Sequence, residues 1–118
     1  MSEETMLIVD DSRLSRMMIK NYVVDAHPNW TIIEAINGDD ALEKSKGQTI
    51  NCMTVDYNMP GMDGITLIKK LRENHADAQI ALLTANIQDS IKKQTEEVGV
   101  EFIQKPITQE KIQNYVKR

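Results

Sequence analysis

Residues 55–64 read VDYNMPGMDG, and the stretch poses a problem. The apolar run Cys52-Met53-Thr54-Val55 leads straight into an acid, Asp56, and the turn formers Pro60-Gly61 and Asp63-Gly64 follow. A carboxylate at the end of a buried strand is either a turn acid opening an Asx-type turn or a group placed to do chemistry. The pattern on either side of it decides.

Upstream and downstream, short apolar runs alternate with helical spacing. Strands are expected at Thr5–Val9, Thr31–Ala35, Asn51–Val55, Gln79–Leu83 and Val100–Ile103. Between and after them fall five helices. Ser12–Val24 carries Leu14, Met17, Met18 and Tyr22, and Asn37–Lys46 has early acids and late lysines, as the helix dipole favours. Ile65–Asn74 carries Ile65, Ile68 and Leu71; Ile87, Ile91 and Val98 mark the fourth helix, stopped by Gly99; Thr108–Lys117 is the last. Five strand-then-helix units predict an α/β fold, a parallel sheet with helices on both faces. The first, third and fourth strands are apolar at nearly every position, as sheet-centre strands are.

Composition fits that architecture. The chain has 118 residues, 41% hydrophobic and 27% charged, the size of one domain with its own core. A net charge of −4 argues against a broad nucleic-acid surface. No apolar stretch approaches the roughly 18 residues of a membrane span, and the acidic start MSEETMLIVDDS has no signal-peptide pattern. The single Cys52 has no internal partner, which fits a reduced cytoplasmic protein, and it reads as a core residue. Met17, Met18 and Met53 read as core filler, and Trp30, just before the second strand, as packing at the end of the sheet opposite the strands' carboxyl ends. His27 and His75 have no neighbour in sequence that makes them metal ligands.

The polar residues fall at matching places. The first strand ends in Asp10-Asp11, the third in Asp56, the fourth in Thr84, and Lys105-Pro106 follows the fifth. In an open parallel sheet the carboxyl ends of the strands face one crevice. Crowded carboxylates need a cation or a proton; Mg²⁺ takes one or two carboxylates, with water and phosphate oxygens. A cation, an ammonium and a hydroxyl around one free carboxylate make a site for phosphoryl transfer to an aspartate. Taken alone, each residue has a plainer reading. Asp10 and Asp11 cap a helix together with Ser12, Thr84 is a buried strand threonine, Lys105 is a solvated lysine before a proline, and Asp63 is a helix N-cap.

Asp10-Asp11, Asp56 within DYNMPGMDG, Thr84-Ala85 and Lys105-Pro106, in that order and each at a strand end, resemble the receiver domains of two-component response regulators, in particular the single-domain, chemotaxis-regulator-like type. The resemblance covers essentially the whole chain, 1–118, and implies a flavodoxin-like, doubly wound sheet of order 2-1-3-4-5 with five helices and no output domain. It implies that Asp56 accepts a phosphoryl group from a histidine kinase or histidine phosphotransfer protein, with Mg²⁺ held by Asp11, by Asp10 through water, by Asp56 and by the Asn58 carbonyl. Lys105 would contact the phosphoryl group and Thr84 would move to hydrogen-bond it. Ala85 and the pair Asn58 and Asn86 flank the phosphoryl position, and the Lys105-Pro106 peptide is expected to be cis. Phe102 stands at the family's switch-aromatic position without a hydroxyl, so the ring would switch by repacking alone. The implied output is the surface of the fourth helix, fifth strand and fifth helix, shown to an unknown protein target, with no direct nucleic-acid contact. The chain would catalyse only its own phosphorylation and dephosphorylation.

Other classes fit less well. A small Mg²⁺ phosphatase working through an aspartyl phosphate wants a second acid where Asn58 stands. A flavin-binding module wants a hydroxyl- and glycine-rich loop where DDSRLSR stands. A relay intermediate that passes the phosphoryl group onward shares the same residues.

Overall fold

The computed structural model describes residues 3–118; the first two residues of the acidic N-terminal stretch lie outside it. Five strands, β1 (Thr5–Val9), β2 (Thr31–Ala35), β3 (Cys52–Asp56), β4 (Gln79–Thr84) and β5 (Glu101–Gln104), alternate with five helices. These are α1 (Arg13–Ala26), α2 (Gly38–Ser45), α3 (Gly64–Asn74), α4 (Asp89–Glu97) and α5 (Gln109–Tyr115). The strands form one parallel sheet in the order β2-β1-β3-β4-β5.

Alternation along the strands sorts the apolar side chains into two layers. Leu7, Val9, Met53, Val55, Ile80 and Leu82 face the helices α2, α3 and α4, which contribute Ala41, Ile68, Leu71 and Ile91. Met6, Ile8, Cys52, Ala81 and Leu83 face α1 and α5, which contribute Ile19, Val23, Ile112 and Tyr115. Four helices begin at a side-chain cap, where Ser12, Asn37, Asp63 and Thr108 each accept from the backbone N–H three residues on.

Some expectations shift. β3 and β4 run one residue past the apolar run, so Asp56 and Thr84 are themselves the last residues of their strands, in register with Leu83 and Gln104. Ile87 precedes α4 instead of opening it, and is 52% exposed. Two side-chain-closed turns occupy that loop: Thr84 Oγ1 accepts from Asn86 N, and Asn86 Oδ1 accepts from Gln88 N. Met17 is not core filler. It is 49% exposed and Leu14 is 61% exposed. At 100° per residue both lie across the helix from Ile19 and Val23, the buried residues of α1, so the apolar positions of this helix mark two faces and only one packs. Met53 and Cys52 are fully buried, as expected.

Candidate functional site

The alternation that builds the two layers also aims the polar strand ends. On β1, Met6 and Ile8 face α1 and α5, so the next residue in step is Asp10. On β3, Cys52 leads by the same step to Asp56. On β5, Ile103 leads to Lys105. The three side chains therefore meet on one side of the sheet at its carboxyl edge. Lys105 Nζ lies 2.9 Å from Asp56 Oδ1 and 3.6 Å from Asp10 Oδ2. Asp10, Asp11 and Asp56 each place a carboxylate oxygen within 4.8 Å of the others.

The acids are unequally satisfied. Asp10 is 1% exposed; its Oδ1 accepts from Ser12 N at 2.8 Å, but its Oδ2 has no hydrogen-bond partner. Lys105 at 3.6 Å attracts that oxygen without bonding it. Burial pushes the Asp10 carboxyl up, with the Asp11 charge adding to the rise, while the Ser12 N–H and Lys105 oppose it. Burial likewise raises Asp56, against the Lys105 ion contact. Burial works to lower Lys105, but its contacts with Asp56 and Asp10 outweigh that and raise it. The pocket thus carries more negative charge than one ammonium relieves.

That imbalance is the fit test for a cation. Three carboxylates, one with a buried oxygen lacking a donor and one, Asp11, open to solvent, suit a small hard ion that keeps several waters. Asp11 opens the pocket to solvent, so phosphate oxygens can approach from the same side.

The loop after β3 holds this arrangement by close backbone contact. Gly61 adopts φ +84°, where only glycine is unstrained. Gly64 N donates to Tyr57 O at 3.0 Å, folding the loop back on the strand end. A Cβ on Gly64 would sit 2.6 Å from the Asp56 carbonyl oxygen and 2.8 Å from Leu82 Cδ1. The Pro-Gly and Asp-Gly pairs that followed Asp56 in the sequence therefore serve to bring α3 against it.

The remaining expected residues ring this centre. Thr84 is buried, its hydroxyl engaged by Asn86 N at 2.9 Å, and its carbonyl accepts from Lys105 N at 2.9 Å. Ala85 and Pro106 are exposed, Asn86 is half-buried, and Asn58 is exposed in the loop after Asp56. The Lys105-Pro106 peptide is cis. Phe102 is half-buried against the α2–α4 layer with Lys92 Nζ 5.9 Å from its ring centre. His27 and His75 are remote: His27 stacks on Trp30 and His75 caps the end of α3. A cavity of about 480 Å³ between the ends of α2 and α3, lined by Leu42, Ser45, Leu71 and His75, lies at the opposite edge of the sheet.

Two basic side chains near the site escaped the sequence reading. Arg16 donates through Nη1 to the Asp10 carbonyl at 2.8 Å and pairs through Nε with Glu34 at 3.1 Å. Lys111 donates to the Gln104 and Pro106 carbonyls at 2.8 and 3.2 Å. Lys111 alone carried a sequence signal: a cation in the first turn of a helix opposes the dipole unless something else engages it.

Known proteins resemble this chain in sequence and in fold. A family model described as the response regulator receiver domain matches residues 6–117. The chemotaxis protein CheY of Bacillus subtilis is 37% identical over 107 residues, covering 90% of this chain and 88% of that protein. Longer relatives match over a part of their length: this chain spans 44% of the transcriptional regulatory protein ResD of Bacillus subtilis, at 33% identity over 91% of this chain. Among solved structures, the chemotaxis protein CheY4 of Vibrio cholerae superposes with a TM-score of 0.89 at 26% identity, over 98% of both chains. The CheX-CheY-BeF3-Mg²⁺ complex of Borrelia burgdorferi contains a chain with a TM-score of 0.85 at 29% identity, covering 96% of this chain and 86% of that one. The sheet topology and the matched span agree, and the chain belongs to the response regulator receiver domains of two-component systems, of the CheY-like kind.

Proposed function

We propose that the chain is a phosphorylatable signalling switch whose acceptor is Asp56. The observation that carries this reading is the placement of Lys105 Nζ 2.9 Å from a buried carboxylate beside a second acid with an unpartnered oxygen. A buried strand-end Asp paired with a lysine, beside two further carboxylates that could hold a cation, is a nucleophile with charge neutralisation at hand. An Asp56 oxygen attacks phosphorus in a phosphohistidine; the P–N bond breaks and its electron pair leaves with the imidazole, which takes up a proton. Asp11, Asp56 and the Asn58 carbonyl, with Asp10 through water, would hold Mg²⁺, which would supply neutralisation of charge on the phosphoryl oxygens. Lys105 stays on the group as it transfers. Thr84 exchanges its Asn86 N–H contact for a phosphoryl oxygen, to which its hydroxyl donates. Phe102 repacks beneath Lys92, altering the α4–β5–α5 surface offered to a protein target. Ala85, Asn58, Asn86 and Pro106 border the phosphoryl position.

The phosphodonor is a histidine kinase or a phosphotransfer domain, in the cytoplasm. Leu14 and Met17 on the exposed side of α1, Ile36 just after β2 and Ile87 just after β4 are large apolar residues left in solvent on elements that border the site, and such exposed groups favour protein contact.

The test is intact mass after incubation with acetyl phosphate and Mg²⁺. Wild type gains the mass of one phosphoryl group, gains nothing when chelator is present from the start, and Asp56→Asn gains nothing. Equal gain in Asp56→Asn refutes the acceptor assignment. Thr84→Ala is expected to gain the group yet show muted NMR shifts along α4 and β5 with beryllofluoride.

A further inference from the structure

We infer that Lys111 is a positioning residue for Lys105, clamping the peptide segment on both sides of it; the inference rests on the phosphoacceptor reading above. Lys105 reaches its carboxylates from the loop that joins β5 to α5, and where its ammonium sits depends on how firmly that loop is held. Three hydrogen bonds hold it. Lys105 N donates to Thr84 O at 2.9 Å on the sheet side. On the helix side, Lys111 Nζ donates to Gln104 O at 2.8 Å and to Pro106 O at 3.2 Å, the carbonyls immediately before and after Lys105. One ammonium thus ties both neighbours of the reacting lysine to the first turn of α5.

Local physics does not explain a lysine there. It is the third residue of α5, whose N-terminal turn repels a cation. No acid pairs with it among the described residues. Gln104 and Pro106 are exposed, so their carbonyls have water available and the fold does not need the clamp. What the clamp restricts is the position of Lys105 relative to Asp56, and small misplacements of a charge-neutralising group lower transfer rates steeply. The clamp also makes α5 a handle on the site: a partner acid that draws Lys111 away loosens Lys105.

The experiment compares wild type, Lys111→Met and Lys111→Arg by the initial rate of mass gain from acetyl phosphate at saturating Mg²⁺. In the same proteins, Mg²⁺ affinity is measured by NMR titration of the Asp11 and Gly64 amides. Lys111→Met should lose about three- to tenfold in rate, with Mg²⁺ affinity unchanged or tighter, because a loosened Lys105 competes less for Asp56 and Asp10. Lys111→Arg, which keeps two donors, should stay within about twofold of wild type. A wild-type rate in Lys111→Met overturns the inference alone. So does a joint loss of rate and Mg²⁺ affinity, which is structural damage, or an arginine variant as slow as the methionine one. A wild type that never gains mass removes the phosphoacceptor reading and this inference with it.

Discussion

Tyr115 and Asp10 are both nearly fully buried, at opposite edges of the same five strands, and they are served oppositely. The Tyr115 hydroxyl lies 2.7 Å from Met53 O and 2.9 Å from Gln79 O, and the Tyr115 carbonyl accepts from the Gln79 amide at 2.9 Å. Around it, His27 stacks on Trp30 at 4.0 Å, Arg118 lies over the same indole and pairs with Glu4 at 3.0 Å, and His27 Nε2 meets Val116 O at 2.8 Å. Burial lifts the Cys52 thiol to about 11, so it stays neutral. At the carboxyl edge, Asp10 keeps an oxygen without a donor next to two more acids. One edge is satisfied and stabilises; the other retains charge that Lys105 relieves only in part. A parallel sheet allows this division because all its strands end at the same edge, so the tension is gathered in one place while the rest of the core stays apolar.

The sharpest way to break the division is at Gly64. Its close approach to the Asp56 carbonyl leaves no room for a methyl group, and the obstruction is backbone. Gly64→Ala should lose about 3 kcal/mol in urea unfolding and weaken any Mg²⁺ response, since the loop and the acid move together. A midpoint equal to wild type would show that the loop is not held by this contact.

Tyr115→Phe attacks the other edge. It removes the donor shared by Met53 O and Gln79 O and should lose about 1–3 kcal/mol. The two edges are separate in this account, so the Mg²⁺ dependence of melting should not change. A Tyr115→Phe protein with altered Mg²⁺ affinity would mean that the edges communicate.

Asp10→Asn should do the reverse and stabilise the metal-free protein by about 1–2 kcal/mol, because a desolvated charge beside two like charges is gone while an acceptor for Ser12 N remains. The pH dependence follows. Burial raises the Asp10 and Asp56 carboxyls, so the folded state binds protons more tightly than the unfolded chain. Stability without metal should therefore fall as pH rises from about 4, the unfolded carboxyl value, through the raised folded values. Asp10→Asn should lessen that fall, and added Mg²⁺ should offset it in wild type but not in the variant. Melting temperatures across that range with and without Mg²⁺ decide it; a variant with the wild-type slope would mean that Asp10 is not the strained group.

The layers were legible in the sequence because strand alternation and apolar runs are local signals, whereas the contacts of the satisfied edge join residues far apart in the chain and left no such signal. The strand-end polar residues were legible for a related reason: buried runs that terminate in Asp10, Asp56 and Thr84 point to one edge whatever the strand order. The order itself came from the family resemblance, since periodicity does not encode which strands are neighbours. Leu14 and Met17 misled because helical spacing counts apolar residues without saying which side is covered. The start of α4 was misplaced because Asn86 and Thr84 close side-chain turns that compete with helix, and Ile87 looked like a helix residue. Arg16 and Lys111 reach back from the first turns of α1 and α5 to backbone carbonyls of the segments that precede them, and no apolar-spacing rule reports a side chain bonded to main chain.

The smallest expected effect asks whether strain is confined to the carboxyl edge. Thr54 Oγ1 is the other buried side-chain atom without a partner among the described residues. Thr54 sits in the middle of β3, between Cys52 and Asp56 on the same side of the sheet, with Ile8 and Ala81 in register beside it. It has no charged neighbour in that register, so its hydroxyl is desolvated without electrostatic strain. Valine has the same shape with a methyl group in place of the hydroxyl, and the surrounding layer is apolar. Thr54→Val should thus gain about 1 kcal/mol, or roughly 4 °C in melting temperature. Asp56 is two residues on, so the variant should keep its wild-type mass gain from acetyl phosphate if the hydroxyl plays no part at the site. A stabilised variant with normal phosphoryl gain leaves the functional strain in the acids alone. A stabilised variant that reacts slowly would extend it into the middle of β3, and an unstable one would show that the hydroxyl is bonded in solution.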